Sequence, residues 1–293
     1  MSNHVSWSII KQFSIRNSLN FTFQDVVSEF PEKNPVVLSR TLSDMVAMGM
    51  LCKIARDNYH IIPLNEDPQS YMPDGSQIAK YIMQGKEYYI GYSSAIRIHG
   101  FDDPCDNIDS ESRVPESGKA KASKVKETDS NEYVVTLEQK NPSVRNILGI
   151  TCHFIQHHKT RFFGYESTWI NGNEQAMVSD IEKTIVDLAT KPQPGDGIIE
   201  LGRALLQMKD ETDQNTLFYY FDRNANKSAK KRFLFLCDLL GLEWTKDHDS
   251  LLEGLGSGYT RLDPTATDQG SKLAKYRLKI NMDSTELKNK ILK

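Results

Sequence analysis

The first 64 residues restrict the fold more than any other stretch of this chain. Three apolar stripes at helical spacing follow one another, then a glycine, then two short β-prone runs. Ile9, Ile10 and Phe13 place a first helix. In "FTFQDVVSEFP", Phe23, Val26, Val27 and Phe30 repeat at i, i+3, i+4 and i+7, so all four share one face of a second helix. Thr22 is a good N-cap for it and Pro31 stops it. After "EKN", Pro35 suits the first turn of a third helix. Its buried face would hold Leu38, Leu42, Met45, Val46 and Gly49. Val36, Ser39, Arg40, Ser43 and Ala47 occupy the opposite face. "LCKIA" and "YHII" then flank Arg56-Asp57-Asn58, and Asp and Asn tolerate the backbone of a tight hairpin turn.

Three helices and a hairpin are the element order of a winged helix-turn-helix, in which the third helix enters the major groove of double-stranded DNA and the wing touches backbone. Ser39, Arg40 and Ser43 on the outward face can donate to phosphates or base edges. Arg56 falls at the wing tip with Lys53 nearby, and Lys33 and Asn34 precede the helix. Residues 1–64 hold six Lys or Arg against five Asp or Glu, a local net charge of +1. The whole chain, at -3, is not a general polyanion binder. The same element order serves protein-interaction modules, so both readings stay open here.

"PLNEDPQSYMPDGS" is rich in proline and reads as an interdomain linker, assigned to residues 65–75, with a larger unit at 76–293. In that unit "YYIGYSSAIRIHG" reads as a strand entering a helix. "EYVVTLEQ", "ITCHFIQHH", "RFFGYESTWI" and "KLAKYRLKINM" read as strands. "SDIEKTIVDLATKP" reads as a helix with a capping box of Ser179 and Glu182, and "GIIELGRALLQ" and "KKRFLFLCDLLGL" as further helices. Strands and helices mix without a βαβ rhythm, which makes the chain α+β. Residues 102–132 are polar, include "GKAKASKVK", and read as a mobile insertion. Cys52, Cys105, Cys152 and Cys237 stand far apart with no CxxC pair, which fits a reduced cytoplasmic setting. The start of the chain shows no secretory pattern, and no apolar run is long enough for a membrane span.

Chemistry-bearing patterns are sparse. No phosphate loop, nucleophile elbow or dinucleotide fingerprint occurs. His153, His157 and His158 cluster without a carboxylate or cysteine at a supporting spacing, so no metal ligand is assigned. Glu138 and Lys140, two apart after an apolar strand, match the end of a metal-dependent nuclease signature and make that activity an alternative. Arg223, Lys227, Lys230, Lys231 and Arg232, then Lys272, Lys275, Arg277 and Lys279, would extend a DNA-binding surface if folding set them beside the third helix. No catalytic or cofactor-binding residue emerges, and the expectation is a protein that is not an enzyme.

Several segments in order resemble the AbiEi family, the antitoxins of type IV toxin–antitoxin (abortive infection) systems. "LSRTLSDMVAMGMLCKIARDNYHI" is similar to its helix and wing. "YYIGYSSAIRIHG", "VSDIEKTIVDLATKP" with "GIIEL", "RFLFLCDLLGL" and "GYTRLDPTATDQGSKLAKYRLKIN" are similar to successive parts of its second domain. The resemblance implies a winged helix that binds repeats in the promoter of its own operon and represses it. It also implies a C-terminal domain that counters a nucleotidyltransferase-like toxin encoded alongside, without a stable complex. On this chain it places Ser39, Arg40 and Ser43 on the recognition helix and Arg56 on the wing, and implies no catalytic residues.

Overall fold

The computed structural model describes residues 2–16, 19–101, 131–140, 143–171, 174–194, 197–244 and 248–293. These form a mixed α+β structure. The expected mobile insertion, 102–132, lies outside the described residues except for its last two, which belong to a strand.

The chain begins α1 (Ser2–Ile15), β1 (Asn20–Thr22), α2 (Phe23–Glu29), α3 (Pro35–Ala47), β2 (Leu51–Ala55) and β3 (Asn58–Ile61). Thr22 caps α2: its hydroxyl accepts from the Asp25 amide, and the Asp25 carboxylate accepts in return from the Thr22 amide. β1 therefore turns into α2 without a loop, and its backbone adds a third strand to the hairpin in the antiparallel order β1-β3-β2. Ile9, Phe13, Phe21, Val26, Leu38, Leu42, Met45, Leu51, Tyr59 and Ile61 make one shared core, with the Phe13 and Phe21 rings stacked 4.3 Å apart. Burying each of the leucines there contributes about 1.5–3 kcal/mol.

The expected linker lies down on this unit. The Pro68 ring covers Gly49, which ends α3 at φ +71°, and Tyr71 hydrogen-bonds to His60. Its last residue, Gly75, opens the next helix, α4 (Gly75–Ile82).

The chain continues through β4 (Tyr88–Ile90), α5 (Tyr92–Ile98), β5 (Asn131–Thr136), β6 (Val144–Ile147), β7 (Ile150–Gln156), β8 (Tyr165–Asn171) and β9 (Glu174–Ser179). Then come α6 (Ile181–Thr190), α7 (Ile198–Met208), α8 (Gln214–Asn224), α9 (Lys227–Leu240), α10 (His248–Glu253), β10 (Thr260–Arg261), β11 (Ser271–Leu273), β12 (Leu278–Ile280) and α11 (Ser284–Ile291). β4 to β9 form one mixed sheet, ordered β6-β7-β5-β4-β9-β8, with β5–β7 and β4–β9 parallel. Both faces are covered, which is why its central strands read as unbroken apolar runs. The period of two sorts them: Tyr89, Tyr133, Val135 and Ile155 face the helices α6 to α9, while Ile90, Val134 and Phe154 face α4. Ile54 of β2 is buried in that second cluster, so the hairpin packs against the larger unit.

Two expectations need correction. Ser179 does not cap α6. It ends β9, where its hydroxyl bonds to Thr184 and the Ile90 carbonyl, and the cap is Asp180, which accepts from the Lys183 amide. Glu182 instead accepts from the Asp213 amide at the start of α8. "KLAKYRLKINM" is not one strand. It is the hairpin β11–β12, turning through Arg277 at φ +52°.

Candidate nucleic-acid interface

The geometry of α3 follows from its ends. Asn34 caps it, its side-chain oxygen accepting from the Val36 amide at 2.9 Å, and Pro35 takes the first turn, where a missing N–H costs nothing. Leu38, Leu42 and Met45 are fully buried, which turns Val36, Ser39, Arg40 and Ser43 outward, all exposed. The hairpin is anchored by the same core. Its turn places Asp57 at φ +60°, a left-handed conformation that aspartate accepts more readily than most residues, and the Asp57 carbonyl receives the Phe23 amide at 2.8 Å. Arg56 at the tip is 95% exposed, with Nε 3.7 Å from the Asp57 carboxylate. Lys53 is exposed too, its amine 5.9 Å from the Tyr59 ring centre.

Two of the candidate side chains are partly engaged. The Asn34 oxygen is held by the cap, leaving its amide N–H₂ to face outward, and the Ser43 hydroxyl donates to the Ser39 carbonyl at 3.0 Å. Lys33 and Arg40 are exposed cations.

Eight of the nine late basic residues, all but Lys227, have partners within the larger unit. Arg232 is buried and donates to the carbonyls of Leu262 and Ala189, each at 2.9 Å, which ties α9 to the end of α6. Burial pushes its guanidinium down to about 10. Lys231 donates to the Gly258 carbonyl, Lys230 pairs with Asp222, Lys275 with Asp238, and Lys279 with Asp268. Arg223 lies over the Phe163 ring, and Lys272 and Arg277 over Tyr259.

A hydrogen-bonded chain seats the first unit on the second. His60, fully buried on β3, bonds through Nδ1 to the Asn20 side-chain oxygen at 2.8 Å and through Nε2 to the Tyr71 hydroxyl at 2.6 Å. Asn20 donates to Glu174 at the start of β9, which also accepts from Gln77, Lys80 and Tyr81 of α4. Burial pushes His60 down to about 4, against the pull of Glu174, so the ring is neutral.

Behind the sheet lies a sealed polar cluster that the sequence did not reveal. Lys183 and Asp187 pair on α6, and the Tyr89 hydroxyl donates to Asp187 at 2.7 Å. With that proton committed, the Tyr89 oxygen accepts from His157 Nδ1–H at 3.2 Å, and His157 Nε2 accepts from Tyr92 at 3.1 Å. Burial lowers Lys183 and His157 and raises Tyr89 and Tyr92. Every member is nearly or fully withdrawn from solvent, so the cluster organises the interior and offers no open face to a substrate. Its signal in the sequence was Lys183 and Asp187 at i, i+4 within an otherwise apolar helix.

The other histidines stand apart. His153 stacks on Tyr133 and bonds to Asn131, and His158 caps a single 3₁₀ turn. Glu138 and Lys140 lie past the end of β5, 3.6 Å apart, beside Lys86 in a cavity of about 280 Å³. Burial and the neighbouring Lys86 lower Lys140. Among the described residues no three His, Cys, Asp or Glu side chains converge so as to hold a metal ion. Cys52, Cys152 and Cys237 are free thiols, and Cys105 lies outside the described residues. No helix among the described residues is long and apolar enough to cross a membrane.

No family model matches the chain, and no curated protein does. A solved structure does: the Rv2827c protein of Mycobacterium tuberculosis superimposes with a TM-score of 0.66 at 15% identity, over 99% of this chain and 95% of that one. At that identity the likeness is one of fold.

Proposed function

We propose that residues 1–64 form a winged helix-turn-helix that binds double-stranded DNA. In this reading the whole chain is the antitoxin and autorepressor of a type IV toxin–antitoxin operon. The observation that carries the first part is the outward face of α3: Ser39, Arg40 and Ser43 are exposed on a helix locked from behind by Leu38, Leu42 and Met45. A rigid helix with a guanidinium and hydroxyls on its free face suits the major groove. Arg56 and Lys53 on the β2–β3 hairpin are suited to flanking phosphates. Sequence-selective contacts come from α3, because a local net charge of +1 gives little nonspecific affinity.

The antitoxin role rests on the resemblance of residues 76–293 to the AbiEi second domain, and with it the nucleotidyltransferase-like toxin and the cytoplasmic setting. Two measurements test the parts separately. A reporter behind the DNA upstream of this gene should be repressed by the protein and released by Arg40→Ala. Co-expression should rescue growth arrested by the neighbouring toxin gene, and Arg40→Ala should still rescue. Repression without rescue rejects the antitoxin role and keeps the repressor; rescue without repression does the reverse.

The second reading is a helix face that docks protein. It draws on Val37 and Met48, both about half exposed on the side of α3 that also holds Asp44.

A further inference from the structure

Val36 is an apolar side chain placed where a DNA-reading helix meets bases. It is 75% exposed at the second residue of α3, directly behind the capped start. At 3.6 residues per turn, Val36, Arg40, Ser43 and Ala47 fall within about 60° of one another, so the valine shares the stripe of the arginine and the serine. Val37 points about 100° away from Val36, on the side of Asp44. Neither helix propensity nor burial explains a β-branched apolar residue at the Val36 position. A single exposed apolar residue is ordinary on a surface; its place among hydrogen-bond donors on a docking face is what asks for a partner.

The major groove contains one apolar mark, the C5 methyl group of thymine, and small apolar side chains recognise it by contact. The residues that reach base edges in a helix-turn-helix are those at the start of the recognition helix. We infer that Val36 reads a thymine methyl group in the bound DNA. This rests on the DNA-binding role proposed for α3 and adds a base identity to it. Arg40 follows one turn later, about 6 Å along the helix, roughly two base-pair steps. A guanine, the best partner for a bidentate arginine, is then expected within about two base pairs of that thymine.

Deoxyuridine differs from thymidine only by that methyl group. The experiment uses the full chain and the duplex footprinted upstream of its gene, with each thymine replaced singly by deoxyuridine. Wild type should lose about fourfold in affinity at one position per half-site, the weight of one buried methyl group. Val36→Ala should bind the parent duplex about fourfold more weakly and lose its sensitivity at that same position, while Val37→Ala keeps it. Selective binding with no sensitive thymine, or a Val36→Ala variant that stays sensitive, overturns the inference and leaves DNA binding standing. Absence of selective binding overturns both. Val36 has no place in the core, so the variant folds and each outcome is readable.

Discussion

Lys183 and Asp187 pair one turn apart on α6 with neither side chain in contact with solvent. Around them every polar residue of the "DIEKTIVD" segment is engaged in holding the fold. Asp180 caps the helix and accepts from Tyr220, Glu182 receives the Asp213 amide, and Thr184 bonds to Ser179. Four helices and the central sheet meet there, so this segment is the joint of the larger unit.

Removing one partner of a buried pair strands the other charge. Asp187→Ala should destabilise the protein by about 3–5 kcal/mol in urea unfolding, and the double variant Lys183→Met/Asp187→Leu should cost clearly less. A loss below about 1 kcal/mol for Asp187→Ala would mean that the pair is solvated in solution.

The acid limb of stability should contain a contribution from His60. Its pKa is about 4 in the fold against 6.5 unfolded, so the unfolded chain takes up the proton first. The stability given by the neutral ring is complete above pH 6.5 and is lost as pH falls from 6.5 towards 4, on the order of 3 kcal/mol in all. Denaturation curves for His60→Gln should be flatter across that window. An unchanged slope would assign the acid sensitivity to other groups.

The two arginines of the first unit should fail differently. Arg40→Ala should weaken binding to the operator by about 1–3 kcal/mol and relax its selectivity. Arg56→Ala should weaken binding to every duplex and reduce the slope of log affinity against log salt by about 1. A loss with Arg56→Ala confined to one sequence would contradict its phosphate role.

Basic residues of the larger unit should separate from both. Lys230→Ala and Lys275→Ala remove ion pairs with Asp222 and Asp238 and should leave DNA affinity within twofold of wild type. Arg232→Met should instead lower stability by about 2–3 kcal/mol, since it strips donors from buried carbonyls. A tenfold loss of DNA affinity in either lysine variant would place that surface on the DNA.

Local signals made the first unit legible. Thr22, Pro31 and Pro35 are chemical punctuation, and the stripes of α2 and α3 follow a period that burial enforces. The turn at Arg56-Asp57 is readable from aspartate's tolerance of positive φ. Long-range placement is not. Nothing in "HFIQHH" shows that His157 alone enters the interior beside Tyr89 and Tyr92, because the strand pairing that brings them together spans more than sixty residues. The start of α6 shifts by one residue for a related reason: pairing of β9 with β8, Ser179 opposite Tyr165, claims Ser179 for the sheet and moves the cap to Asp180. Strands as short as β10 and β11 have too few residues for a period to show.

Hydroxyl-radical footprinting of the full chain on the DNA upstream of its gene, at fixed salt, shows whether α3 reads DNA. Wild type should protect discrete repeated half-sites, and Arg40→Ala should lose that protection at the same protein concentration. A uniform pattern at low salt, or protection that survives Arg40→Ala unchanged, would contradict a DNA-reading α3.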